Sequence, residues 1–105
     1  GRAFEFLMTG DMMDSSTALN YGLVNYVEAD KAAAVEKAKE ILGKITAKAP
    51  IAIGLVVDCV NAVFNHDENG YQTEANAFAT CCGTDDFKEG AAAFMEKRTP
   101  EFKGE

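Results

Sequence analysis

The last 22 residues of the chain constrain its fold more than any other stretch, because they contain a complete set of helix signals. They read T-D-D-F-K-E-G-A-A-A-F-M-E-K-R-T-P-E-F-K-G-E. A threonine is a favoured N-cap residue, and the proline near the end cannot continue a helix. Lys97 and Arg98 place two cations where the negative end of the helix dipole would lie. The pattern predicts a helix from about Thr84 to about Lys97.

Upstream of this helix, apolar residues recur mostly at helical spacing, and glycine, proline and capping residues separate the segments. The predicted helices cover residues 2–8, 17–21, 31–49, 51–64 and 71–82. Residues 23–27 are rich in β-forming side chains, and they are predicted to be either an extended connector or one edge strand. The fold class is therefore predicted to be mostly α, with five to six helices. The helix over 51–64 is apolar on more than one face, which predicts burial over most of its circumference.

Composition restricts the classes of partner. A chain of 105 residues is one domain or one piece of a larger one. Its net charge of −7 opposes binding to nucleic acid or to an anionic membrane, since both require a positive surface. Three cysteines without framework spacing indicate reduced thiols, and hence a cytoplasmic location. The first ten residues lack a signal-peptide pattern, and the absence of an initiating Met is compatible with a fragment.

No set of residues in the sequence forms a recognisable catalytic or metal site. His66 lies in a polar loop without ligand partners at defined spacing, so it is interpreted as a solvated loop residue, and no metal is expected. Cys81 and Cys82 fall within a helix and have no adjacent basic partner, which favours packing over thiol chemistry.

The tail helix carries two further patterns. Asp86 and Glu89 have the spacing of a reciprocal N-terminal cap. Phe87 and Phe94 are seven residues apart on one face, with Gly90 between them. Such a small-residue notch between aromatic side chains suits close packing against another helix, and it suits an acyl-sized pocket equally well.

Four stretches, in order, resemble the C-terminal part of the enoyl-CoA hydratase/isomerase (crotonase) superfamily. They are G-R-A-F-E-F-L-M-T-G-D, A-L-N-Y-G-L-V-N-Y-V, a glutamate (Glu74) ten residues before Thr84, and T-D-D-F-K-E-G-A-A-A-F-M-E-K-R-T-P-E-F. The resemblance implies that residues 1–105 are the C-terminal helical domain of the crotonase fold. The N-terminal ββα-spiral domain of that fold would be absent from the chain.

This resemblance implies a parent enzyme that hydrates 2-enoyl-CoA to 3-hydroxyacyl-CoA, with the CoA thioester as substrate and no cofactor. The family's oxyanion hole and its two catalytic glutamates lie in the absent portion, so no catalytic residue is assigned and the chain alone is expected to be inactive. Glu74 and Glu89 do not match those glutamates. By resemblance, Phe94 lines the acyl pocket and Lys97 lies near the adenine or phosphate end of CoA. Phe78 is a further candidate for the same pocket, which often belongs to a neighbouring subunit.

The sequence leaves other functions open. The superfamily also contains isomerases, hydrolases and synthases with similar tails, and a free-standing helical interaction module could share the pattern. The resemblance implies a trimeric or hexameric parent. Because a separated segment would expose apolar surface, the chain is also expected to self-associate.

Overall fold

The structure, a computed structural model, describes all 105 residues and contains six helices and no strand. The helices are α1 (Arg2–Thr9), α2 (Ser15–Asn20), α3 (Lys31–Thr46), α4 (Pro50–Ala62), α5 (Gly70–Cys82) and α6 (Asp85–Glu96). The prediction of a mostly α chain with five to six helices is confirmed. The chain divides into two compact units, Gly1–Lys39 and Glu40–Glu105.

In the first unit, an aromatic contact joins α1 to the end of α2. The rings of Phe6 and Tyr21 meet edge to face, with their centroids 6.3 Å apart. The guanidinium of Arg2 lies 4.1 Å from the centre of the Tyr21 ring. The left-handed conformation of Gly10, with φ 71°, ends α1 where the sequence places its stop.

The edge-strand alternative for residues 23–27 is wrong, because the chain forms no strand there or elsewhere. Gly22 has φ 73°, and the N–H of Leu23 donates to the carbonyl of Ala18 over 2.9 Å, which completes the end of α2. β-Forming side chains make a strand only where a second strand accepts and donates the backbone hydrogen bonds. No such partner exists in this chain, so the segment is a connector.

In the second unit, α4 packs against α5 and α5 packs against α6. Pro50 occupies the first turn of α4, where its missing N–H costs no hydrogen bond. The side chain of Asn69 caps α5 by accepting from the N–H groups of Tyr71 and Gln72. Near the end of the chain, a Cβ at Gly104 would stand 3.6 Å from Cγ of Pro50, so the tail reaches the start of α4.

Very little of the chain is buried. The buried apolar residues are only Ala18, Ala62 and Ala93, while 23 large hydrophobic side chains are exposed. The solvent-accessible area is 8566 Å², whereas a compact chain of this mass has about 5,700 Å². Counting two separate compact units raises that expectation only to about 6,900 Å².

The burial predicted for residues 51–64 is therefore wrong for this chain. Val56, Val57 and Val60 are each more than half exposed, and Phe64 is 80% exposed. The apolar pattern is real, but α5 is the only helix that packs extensively against α4, and much of the apolar surface of α4 stays exposed.

No helix taken singly has both the length and the apolar character needed to cross a bilayer. The sharply bent pair α3 and α4 meets those criteria only when the two are counted together, on length and composition alone.

Candidate functional site

The predicted site residues near the chain end are held by α6 and by the tail that follows it. Thr84 is the N-cap of α6, and its hydroxyl accepts from the N–H of Phe87 over 3.0 Å. The helix begins and ends within one residue of the bounds predicted from sequence. After Glu96 the chain turns and runs back along the same helix, and two carboxylates of α6 hold it there.

Asp86 is the first of these carboxylates, and it is the only buried charged residue, at 3% exposure. Its Oδ1 accepts from the N–H of Lys103 over 2.7 Å, and its Oδ2 accepts from the N–H of Gly104 over 2.8 Å. The N–H of Asp86 donates to the carbonyl of Glu105 over 3.1 Å. One residue thus satisfies three backbone groups of the tail, so burial of its carboxylate is compensated.

Glu89 is the second carboxylate and takes Arg98 as its partner. Both terminal guanidinium nitrogens of Arg98 donate to it, one to each oxygen, with Nη2 to Oε2 at 2.8 Å. The N–H of Glu101 also donates to Oε1 over 2.8 Å. These bonds, with those from Arg98 first, lower the pKa of Glu89 from its ordinary value of 4.5 to about 2. The same contact, together with Glu96, raises the pKa of Arg98.

The capping-box prediction for Asp86 and Glu89 is therefore wrong. Thr84 alone supplies the side-chain cap, and both acidic side chains bind the returning tail. Sequence spacing within a helix could not reveal this, because the partners of these side chains lie 9 to 18 residues ahead, beyond the end of α6. An indirect signal was present, since Phe102 follows a proline stop and Gly90 leaves a gap on the preceding helix.

The Gly90 notch is occupied by the chain itself. A Cβ at Gly90 would stand 3.4 Å from Cε1 and 3.6 Å from Cζ of Phe102. The ring of Phe102, from the returning tail, therefore packs in the notch, where the sequence left open a contact with another helix, and a cleft of about 300 Å³ lined by Phe87, Ala91 and Phe102 adjoins it.

Lys97 and Arg98, adjacent in sequence, have different surroundings. Arg98 is paired with Glu89 and Glu96. Lys97 is exposed, and its ammonium has no hydrogen-bond or ion-pair partner. Lys97 also has φ 55° and ψ 39°, which makes it the one non-glycine residue with a positive φ. Phe94, three residues earlier, is 83% exposed.

Phe78 lies on α5, in a groove of about 610 Å³ between α4 and α5. The other residues that line this groove are mainly apolar and include Leu55, Val56, Val60 and Tyr71. Phe94 and Lys97 line neither this groove nor the cleft of about 300 Å³ beside Gly90. The structure thus brings Phe94 and Lys97 together at the end of α6 and does not bring Phe78 into one cavity with them.

The remaining candidates form no reactive cluster. No group of three or more His, Cys, Asp or Glu side chains comes together in a way that could hold a metal ion. His66 lines a cleft of about 540 Å³ with Glu68 and Glu74. Cys59, Cys81 and Cys82 are free thiols of intermediate exposure.

Comparison with known proteins gives a consistent result. A family model described as Enoyl-CoA hydratase/isomerase matches residues 1–105. The chain is 35% identical over 106 residues to a Bacillus subtilis (strain 168) protein named "Probable enoyl-CoA hydratase". It is 36% identical over 103 residues to the crotonyl-CoA hydratase of Syntrophomonas wolfei subsp. wolfei. These matches cover 99% and 97% of this chain but only 41% and 39% of the relatives, so the chain spans about two fifths of their length.

A solved structure gives the same picture. The crystal structure of an enoyl-CoA hydratase from Bacillus anthracis superposes with a TM-score of 0.92 at 40% sequence identity. The superposition covers all of this chain and 41% of the solved one. The helical arrangement is therefore one found within crotonase-fold enzymes.

Proposed function

This chain belongs to the enoyl-CoA hydratase/isomerase family, and on that premise we propose that it is the C-terminal, pocket-forming and subunit-contacting segment of an acyl-CoA hydratase. The parent reaction is the addition of water to a 2-enoyl-CoA, which gives a 3-hydroxyacyl-CoA. The hydratase names of the two relatives above favour this reaction over isomerisation, hydrolysis or synthesis.

The observation that carries the proposal is the exposed apolar surface. Twenty-three large hydrophobic side chains are exposed, and the only buried apolar residues are three alanines. Contiguous apolar patches above a few hundred square ångströms are rare on monomeric proteins and mark contacts with other protein surface. Such a surface fits a segment that packs against further chain, and relatives about two and a half times as long supply that chain. The segment alone is inactive in this proposal.

The end of α6 supports the ligand contact. An unpaired ammonium at Lys97 can attract a CoA phosphate, since Arg98 beside it is already neutralised by carboxylates. The exposed ring of Phe94, three residues before Lys97, supplies apolar area for the acyl or adenine part of the ligand. Phe78 contributes to a separate apolar surface, the groove between α4 and α5. No cofactor is required, because CoA enters as part of the substrate.

We further propose a homo-oligomeric parent in the cytoplasm, with no nucleic-acid or membrane partner. The negative net charge supports the absence of those two partners. The exposed valine face of α4 is a surface that a second copy can cover.

A chimera tests the proposal. The segment of the Bacillus anthracis enoyl-CoA hydratase that superposes on this chain is replaced by residues 1–105, and hydration of crotonyl-CoA is followed by loss of its ultraviolet absorbance. We expect the chimera to be active and this chain alone to be inactive. Lys97→Ala in the chimera should raise KM about three- to tenfold, the cost of one charge-assisted contact.

Lys88→Ala is the matched control, because Lys88 lies on the same helix and pairs only with Asp85 at the opposite end. It should leave KM unchanged. A chimera that folds and assembles like the parent but hydrates nothing would contradict the proposed function. An unchanged KM for Lys97→Ala would remove the ligand contact alone.

A further inference from the structure

The backbone of Lys97 is in a conformation that lysine adopts rarely. Its φ of 55° and ψ of 39° lie in the left-handed region, where glycine carries no steric cost and every other residue does. Helices commonly end this way, but usually with glycine at that position. A non-glycine residue there persists only where surrounding contacts enforce it.

Those contacts come from Glu89. The residue after Lys97 is Arg98, whose guanidinium is held through two nitrogens by the two oxygens of Glu89. Glu89 also accepts the N–H of Glu101, so it fixes the chain at two points beyond the turn. The N–H of Arg98 donates to the carbonyl of Ala93 over 3.0 Å, which closes the helix end on the other side of Lys97.

The same contacts give the adjacent cations Lys97 and Arg98 different surroundings. Glu89 and Glu96 take up the charge of Arg98, and the ammonium of Lys97 stays exposed without a partner. The Lys97 side chain therefore gains nothing from its own packing that would offset its backbone conformation. The contacts of its neighbour instead hold the backbone at Lys97, and so the point at which its side chain leaves the end of α6.

We infer that Glu89 is a positioning residue that, through Arg98, holds the left-handed turn at Lys97 and so fixes the backbone position from which the Lys97 ammonium reaches a phosphate group of an acyl-CoA. The identity of the ligand in this inference rests on the proposed function. The part that concerns the conformation of Lys97 does not. Glu89 acts without touching the ligand, and the fork of Arg98 transmits its effect because a guanidinium fits a carboxylate through two bonds.

The first arm of the test needs no ligand. The ³J(HN–Hα) coupling and the carbon shifts of Lys97 are measured by nuclear magnetic resonance in the full 105-residue chain. We expect left-handed values in the natural sequence and averaged values in Glu89→Gln, which keeps the shape of the side chain and loses its charge. Arg98→Lys, which keeps the charge and loses the fork, should give the same averaging. Asp85→Asn removes the equivalent pair with Lys88 at the start of α6 and serves as control.

The second arm measures the KM for crotonyl-CoA in the chimera. Glu89→Gln and Lys97→Ala should each raise KM about three- to tenfold. The double variant should be no worse than Lys97→Ala, because an effect transmitted through Lys97 vanishes when its ammonium is absent. A merely structural role for Glu89 would instead give additive losses, and that result would overturn the inference.

The two arms separate the possible failures. If Lys97 keeps left-handed values in Glu89→Gln, the positioning role is refuted whatever the ligand is. If Lys97→Ala leaves KM unchanged, the proposed CoA contact fails, and the inference that Glu89 positions Lys97 for a phosphate fails with it. Loss of the left-handed values in Glu89→Gln would still establish how that turn is held.

Discussion

The ring of Phe102 lies against Gly90, twelve residues earlier, at a distance that leaves room for one methyl group and no more. An alanine Cβ at position 90 would touch the ring at 3.4 Å, which is van der Waals contact. The absence of a side chain at Gly90 thus allows the Phe102 ring of the returning tail to pack closely against α6.

This contact predicts opposite effects for two substitutions. Gly90→Ala should raise the free energy of unfolding by about 0.5–1 kcal/mol, because alanine is the better helix former. Gly90→Val should lower it by about 1–3 kcal/mol, because the added methyl groups collide with Phe102. Urea unfolding at one protein concentration measures both, and Gly54→Ala, with open space around it, gives the propensity effect alone. Equal stability of the alanine and valine variants would show that the ring does not occupy the notch.

The bonds of Asp86 predict a strong effect for a small change. Asp86→Asn places an N–H₂ group against one of two backbone N–H donors, so either Lys103 or Gly104 loses its acceptor. The free energy of unfolding should fall by about 1–3 kcal/mol, and hydrogen exchange at those two amides should accelerate. Asp85→Asn, one residue earlier and exposed, should change the free energy of unfolding by no more than about 0.5 kcal/mol. It should leave hydrogen exchange at the amides of Lys103 and Gly104 unchanged. Unchanged amide exchange in Asp86→Asn would show that Asp86 does not hold the backbone of Lys103 and Gly104.

The lowered pKa of Glu89 predicts a dependence on acid. A carboxylate with a pKa of about 2 in the folded chain and 4.5 ordinarily stabilises the fold fully above pH 4.5. That contribution is lost as the pH falls from about 4.5 to about 2. The Glu89 carboxyl carbon, followed by nuclear magnetic resonance, should titrate near pH 2, and the amide of Glu101 should move with it. In Glu89→Gln this step should be absent; a midpoint near 4.5 in the natural sequence would mean that the fork to Arg98 does not form in solution.

The left-handed turn at Lys97 predicts a gain in stability at the expense of a ligand contact. Lys97→Gly removes the steric cost of φ 55° and should raise the free energy of unfolding by roughly 0.5–1 kcal/mol. Lys97→Ala retains that steric cost, so it should leave the free energy of unfolding nearly unchanged. Urea unfolding of both variants tests the difference, and a glycine variant no more stable than the alanine one would show that the turn is not strained.

The valine face of α4 predicts self-association of the chain. Multi-angle light scattering should show species larger than a monomer at micromolar concentration, because Val56, Val57 and Val60 are exposed together. Val60→Lys should shift the distribution toward monomer. Asp58→Lys changes the charge on the same helix without altering that face, and should leave the distribution as it is. A monomer at all concentrations would refute the prediction.

Most of the helical architecture was predictable because its signals are local. Asp14, Asp30 and Thr84 each accept a backbone N–H from the first turn of a helix, as their positions in the sequence indicate. Pro50 and Gly10 mark a start and an end for reasons of φ alone. Residues 23–27 were ambiguous because a strand depends on a partner that a local pattern cannot reveal.

The tail contacts were not predictable in the same way. Asp86 and Glu89 had a plausible local use as caps, and their actual partners lie beyond the helix in a segment with no regular structure. The positive φ of Lys97 carried no signal, since sequence patterns place glycine at such turns. The burial of α4 failed for a different reason, because helix periodicity shows which faces are apolar and not what covers them.

The contact between Gly104 and Pro50 has a consequence for the order of folding. The pairs α4–α5 and α5–α6, and the tail against α6, join segments that are near in sequence, so they can form within the first microseconds to milliseconds. The tail reaches Pro50 only after all three helices have been arranged, because that contact joins the start of α4 to the end of the chain. The contact of the tail with Pro50 should therefore be the last to form and, on unfolding, the first to break.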